Sequence, residues 1–248
     1  MNHILYAFLL TTIAGFSTLI GTIVIFISKK KKDSIIISSL GFASGVMILI
    51  SFTDLIPNSY LLFSGTYSII VSILLLLISI NIGILLSKLL NKFIPDDQNS
   101  LYRVGVLSMT AIIFHNIPEG IATYITNCSD QALGLTLTIA IACHNIPEGI
   151  SIAVPIYYAT GSKKKAFLYT FISGISELFG AAIAYLFLAP YVNDFFMAML
   201  YAIIAGIMVY LVLTELLKTS LNYHKKKITW ISFMIGCLFI YFNHILFH

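Results

Sequence analysis

Apolar residues in this chain come in long, nearly unbroken runs rather than as the narrow stripe of a helix with one wet face. A helix needs about 20 mostly apolar residues to cross the hydrocarbon core of a bilayer at 1.5 Å per residue. Runs of that length occupy residues 4–28, 34–56, 67–86, 104–126, 132–158, 166–188, 195–217 and 228–247. The pattern predicts an all-α integral membrane protein, with eight transmembrane helices in one bundle and residues 1–248 forming a single transmembrane domain. The first run is too long for the apolar core of a signal peptide and lacks a basic leader. Lys29, Lys30, Lys31 and Lys32 follow it in the manner of a stop-transfer flank, so the run is expected to be retained.

Composition agrees and excludes other classes. Of the 248 residues, 59% are hydrophobic and 10% charged, and the mean hydropathy is +0.97. Soluble domains carry about a quarter charged residues. A cytosolic enzyme, a nucleic-acid binder and a disordered chain are therefore ruled out, and lipid is the expected partner of most of the surface. Three cysteines in apolar contexts are too few for a disulfide or zinc-knuckle framework. The net charge of +4 is sorted along the chain rather than spread. Lysines 29–32, Lys88, Lys92 and Arg103, lysines 163–165, and Lys218 with lysines 225–227 all fall in alternate connections. The intervening connections, 57–66, 127–131 and 189–194, hold no Lys or Arg. The positive-inside rule puts the basic connections in the cytoplasm and both the N- and C-termini on the extracellular side. One span more or fewer would put basic runs on both sides. The expected location is the cell inner (plasma) membrane, as a multi-pass protein.

Charge inside the spans is rare, and its placement is informative. The fourth span carries His115-Asn116-Ile117-Pro118-Glu119-Gly120, and the fifth repeats the hexapeptide as His144-Asn145-Ile146-Pro147-Glu148-Gly149. In a helix, residues four apart share a face, so each His stands beside its Glu with the Asn adjoining. His115 lies about eleven residues from the end of its span and His144 about twelve from the start of the next, so the motifs share one depth. Glu177 is near the middle of the sixth span. Pro118 and Pro147 cannot donate to the carbonyls of Phe114 and Cys143, while Gly120 and Gly149 permit close helix approach. These groups could serve helix packing alone, but each mid-bilayer acid costs roughly 2.5–3.5 kcal/mol, so three need about 8–10 kcal/mol of compensation. Divalent cations supply it: one held by His115, Glu119, His144 and Glu148, a second sharing the carboxylates with Asn116, Asn145 and Glu177. Imidazole, carboxylate and amide ligands suit zinc, iron(II), manganese or cobalt better than calcium or copper(I).

These residues carry a resemblance. The chain resembles the ZIP family of divalent metal-ion transporters, and within it the bacterial ZupT-like zinc transporters. The likeness rests on Gly41-Phe42-Ala43-Ser44-Gly45-Val46-Met47, both hexapeptides, the stretch 173–180 and Ala205-Gly206-Ile207-Met208-Val209-Tyr210. It implies import of zinc, with iron, manganese, cobalt or cadmium as further cargo, through a binuclear mid-membrane site. By position the first metal would use His115, Glu119, His144 and Glu148 near Met47, and the second Asn116, Glu119, Asn145, Glu148 and Glu177. It also implies a homodimer. No cofactor is expected, since the metal is cargo, and no enzymatic activity. The connection carrying Pro95-Asp96-Asp97 is short and has no histidine, so a His-rich sensing loop is not expected.

Weaker signals remain. Asp54 follows Met47 by seven residues on the same helix face and is a candidate entrance residue, or an acid snorkelling to the interface before Pro57. Glu215 is read as an i,i+3 ion pair with Lys218 in the interface, and His224, His244 and His248 as interfacial side chains. The rival from another class is a membrane-embedded di-metal hydrolase using a metal-bridged water. Against it, every site group is at mid-depth and no separate nucleophile is evident. A proton-coupled exporter is a second rival, because sequence physics does not set direction.

Overall fold

Helices form here because, in lipid, a backbone must satisfy its own hydrogen bonds. The buried hydroxyls follow the same rule: Thr11, Ser44, Ser51 and Thr170 each donate to the carbonyl four residues back at 2.7–2.9 Å. The computed structural model of the chain describes residues 3–27, 33–93, 100–188 and 193–247. Among these there is no strand, and eight helices are long and apolar enough to cross a membrane. They are α1 (His3–Ile27), α2 (Asp33–Ser64), α3 (Ile69–Phe93), α4 (Ser100–Ser129), α5 (Gln131–Thr160), α6 (Lys163–Phe187), α7 (Asp194–Asn222) and α8 (Lys226–Leu246). The run Lys29 to Lys32, Pro95-Asp96-Asp97, residues 189–192 and His248 lie outside the described residues.

The helices match the apolar runs and are longer. Both α3 and α4 extend beyond their apolar cores, so Lys88, Lys92 and Arg103 are helical residues rather than loop residues. Long basic side chains can reach the interface from such positions. The largest correction concerns α2. The connection expected at 57–66 is helical as far as Ser64. Pro57 does not end the helix because the turn before it is widened: Ile56 donates its backbone N–H to Ser51, five residues back. A widened turn of this kind accommodates a proline or re-aims side chains within a continuous helix. The same device recurs in α7, where Leu217 donates to Val212. These two turns hold Asp54 and Glu215 respectively.

Packing divides the bundle into two sets. Helices α1, α4, α5 and α6 each touch the other three. Beside them α2 pairs with α8, α3 with α7, and α2 with α7, while α2 meets α5 and α4 meets α7 between the sets. Helices α3 and α8 are outermost, with large apolar side chains such as Ile70, Leu74, Phe239 and Phe242 exposed. The largest core cluster joins both sets and includes Ile36, Met47, Leu107, Ile152, Ile156, Met208 and Leu216. Gln131, opening α5, is hydrogen-bonded to His3 at 3.1 Å, which puts the α4–α5 turn beside the start of α1. The end of the bundle holding this turn and the close of α8 is the termini end. The opposite end carries the described lysines.

Candidate metal centre

Both hexapeptides lie within continuous helices, each with its proline inside. Their glycines seat the helices against their neighbours. A Cβ on Gly120 would stand 1.9 Å from the carbonyl oxygen of Glu177 in α6, and one on Gly149 1.9 Å from that of Thr18 in α1. The motif thus brings its own carboxylate to the level of Glu177 by direct backbone contact.

At that level the ligand groups converge. Glu119 Oε1 lies 2.7 Å from Nε2 of His144. Nε2 of His115 lies 3.4 Å from Glu119 Oε2 and 3.2 Å from Glu148 Oε1. One ligand atom from each of His115, Glu119 and His144 can be chosen so that all lie within 4.8 Å of one another. Two ligands held tetrahedrally on one zinc at 2.0–2.2 Å stand about 3.3–3.6 Å apart, close to the His115 contacts. Behind this set, Asn145 donates to Glu177 Oε2 at 2.8 Å and to the Ala14 carbonyl at 3.0 Å. Asn116 donates to the Ser173 carbonyl at 3.1 Å. Each amide is thereby fixed through its nitrogen with its oxygen left over.

The unsatisfied atoms are the most informative feature. Asn116 Oδ1, Asn145 Oδ1, Glu119 Oε2, both carboxylate oxygens of Glu148 and Glu177 Oε1 are buried without a hydrogen-bond partner. Both ring nitrogens of His115 share that condition. Glu148 and Glu177 are fully buried. Buried acceptors normally find donors, and a set of orphaned oxygens with imidazoles at one depth is a ready-made cation shell.

A cavity of about 110 Å³ leads to it. Its inner wall is His115, Glu119 and His144; its flanks include Ile50, Leu137, Ile141, Tyr201, Ile204 and Ile240; and its open end carries Asp54, Asn58, Asn243 and His244. The second group (Asn116, Asn145, Glu148 and Glu177) lies outside its wall. Met47 is packed in the core and does not line it either. Asp54 stands where an entrance residue would. His244, read from sequence as interfacial, belongs to the cavity and lies 3.3 Å from Asp54. No local signal could have found it, because its position depends on α8 packing along α2. Glu215 gains a partner that spacing did not offer: Arg103 of α4 pairs with it at 3.5 Å, while the charge of the expected Lys218 also acts on it.

Comparison with known proteins decides the family. The family model described as ZIP Zinc transporter matches residues 94–244. Zinc transporter ZupT of Clostridium perfringens is 37% identical, the alignment covering 100% of this chain and 98% of that protein. The chain belongs to the ZIP zinc transporter family. Zinc transporter ZupT of Streptococcus mutans is likewise 37% identical, over 99% of each chain, and that of Campylobacter jejuni 39% identical over 90% of each. The ZIP model spans α4 to α8, hence both hexapeptides, Glu177 and His244. Membership makes this a multi-pass membrane transporter rather than an enzyme, and the di-metal hydrolase reading has no support.

Proposed function

We propose that this transporter imports divalent transition-metal cations, zinc foremost, through a binuclear site at mid-membrane. Its first metal is held by His115, Glu119, His144 and Glu148. Its second is held by Asn116, Asn145 and Glu177 with the same two carboxylates, Glu119 and Glu148, shared between them. The observation that carries this reading is the set of buried oxygens without hydrogen bonds, two of them in ion-pair range of His115 alone, contributed by both hexapeptides and Glu177 and lying at and behind the floor of an open cavity. Sharing carboxylates tempers affinity, since departure of one metal leaves the other set with different compensation. In this reading Met47 is a core neighbour of the first metal rather than a wall of the path.

The orientation follows from charge. The described basic residues gather at one end, and the positive-inside rule makes that end cytoplasmic. The termini end, where the cavity opens, is then outside, so a cation enters past Asp54, sheds water and reaches Glu119. Zinc, iron(II), manganese, cobalt and cadmium all accept mixed imidazole and carboxylate ligands.

The test is uptake by liposomes containing the purified protein, measured for radioactive zinc with each other ion as competitor, with and without a pH gradient. Saturable zinc uptake that cobalt and cadmium inhibit and magnesium does not is the expected result. Zinc accumulation no faster than in protein-free liposomes would overturn the reading.

A further inference from the structure

His244 and Asp54 face one another across the cavity mouth from helices whose residues are 190 positions apart in the chain. With Asn58 and Asn243 on the same wall, four groups able to ligate a cation surround the open end. The separation of the first two is informative. His244 Nδ1 lies 3.3 Å from Asp54 Oδ1. This long hydrogen bond also falls on the roughly 3.3–3.6 Å edge of a tetrahedral zinc site, so both atoms could share one ion with little movement. The other carboxylate oxygen of Asp54 accepts the Thr53 hydroxyl at 2.6 Å, which orients the group with Oδ1 toward the ring. The side chains of His244 and Asp54 are 42% and 23% exposed, so a hydrated ion can reach both.

We propose that Asp54 and His244 form a separate capture site for transition-metal cations, with water and the amide oxygens of Asn58 and Asn243 completing the shell. It is distinct from the deep centre. None of its four residues belongs to the hexapeptides or is Glu177, and the wall they share with the deep centre also carries the apolar Ile50, Leu137, Ile141, Ile204 and Ile240. One carboxylate and one imidazole, backed only by neutral amide oxygens and water, hold an ion weakly and release it quickly, as a loading station requires. The imidazole confers selectivity, because magnesium and calcium prefer all-oxygen shells whereas zinc and cobalt accept nitrogen. Hard cations, though attracted by Asp54, are thus passed over before reaching the deep carboxylates. The direction of loading rests on the transport reading above; the binding does not.

The experiment separates the two. Full-length protein carrying Glu119→Gln and Glu148→Gln, reconstituted in nanodiscs, is titrated with Co²⁺ alone and followed by its visible absorption. A weak cobalt site should remain, and adding His244→Gln should weaken it by about tenfold or more, the loss of one good ligand. No residual site, or one indifferent to His244, overturns the proposal. In liposomes, His244→Gln alone should raise the KM for zinc about three- to tenfold with the maximal rate within about twofold, the pattern of lost binding rather than lost conversion. It should also make uptake more sensitive to excess magnesium. Asp54→Asn, on the other helix, should raise KM similarly and guards against a folding defect in α8. An unchanged KM in both variants overturns the proposal. If the wild-type protein transports nothing, the cobalt titration still decides whether the mouth binds metal.

Discussion

The two ends of the bundle use the same device differently. On α2 and on α7 a widened turn presents one acid, Asp54 toward the termini end and Glu215 toward the lysine end. Asp54 faces an open cavity and the partly exposed ring of His244. Glu215 is held by Arg103 of α4 at 3.5 Å and by the amide of Asn91 of α3 at 3.4 Å. Asn91 in turn bonds Arg103 and, at 3.0 Å, the Tyr210 hydroxyl. A fixed guanidinium thus meets the acid at one end, while the acid at the other faces the cavity beside Thr53 and His244. The cavity reaches His115, Glu119 and His144 and goes no further. This cavity therefore opens toward the termini end, with the candidate metal centre as its floor.

That contrast can be broken most severely at the floor. Gly120→Ala puts a methyl 1.9 Å from the Glu177 backbone, and Gly180→Ala one 2.0 Å from that of Ile117. Neither backbone can yield locally, so α4 and α6 must part, at a cost above the roughly 1–3 kcal/mol of ordinary overpacking. Both variants should lose zinc uptake and unfold at lower temperature in detergent. Gly65→Ala is the control, its nearest atom being 3.6 Å away, and should change neither. Thermal unfolding followed by circular dichroism checks this. A Gly120→Ala protein as stable and active as wild type would mean that the α4–α6 contact does not set the floor.

The lysine end should respond less in uptake. Arg103→Ala breaks an ion pair whose side chains are only 21% and 11% exposed, for which the about 3–5 kcal/mol of a buried pair is the upper figure. Stability should fall by no more than that, and zinc uptake should change by less than about fivefold. Arg103→Lys should restore most of the effect. A complete loss of uptake on Arg103→Ala would make this end part of the cation path and dissolve the contrast. The smallest effect is expected at Lys163, whose ammonium lies 4.8 Å from the centre of the Phe26 ring. At such an exposed site the contact is worth about 0.5–1 kcal/mol, so Lys163→Ala should shift stability slightly and leave uptake unchanged.

Which parts were legible in the sequence follows from the range of the forces involved. The eight helices could be read because each is a local apolar run, and the candidate ligands because charge in such runs is costly enough to demand a purpose. The repeated hexapeptide placed His115, Glu119, His144 and Glu148 at one depth before any packing was known. The features that escaped depend on contacts between helices. The continuation of α2 through Pro57 requires a widened turn, for which the residues Ser51–Leu55 carry no local mark. The pairing of Glu215 with Arg103 depends on α4 lying along α7, whereas sequence spacing offered only Lys218. His244 enters the cavity because α8 packs along α2, and a histidine near a chain end looks the same whether it faces lipid headgroups or a cation path. Met47, placed near the metal by resemblance, lies in the core outside the cavity wall.

The central claim is that the carboxylates at the floor carry the cation, and Glu119 tests it most directly because both metals would share it and the cavity reaches it. Zinc uptake into liposomes should be compared between wild type and Glu119→Ala at equal amounts of reconstituted, folded protein. Uptake by the variant should fall by about a hundredfold or more, equivalent to at least about 2.7 kcal/mol of lost stabilisation, while membrane insertion and helical content stay the same. Undiminished uptake by a properly inserted Glu119→Ala protein would contradict the account.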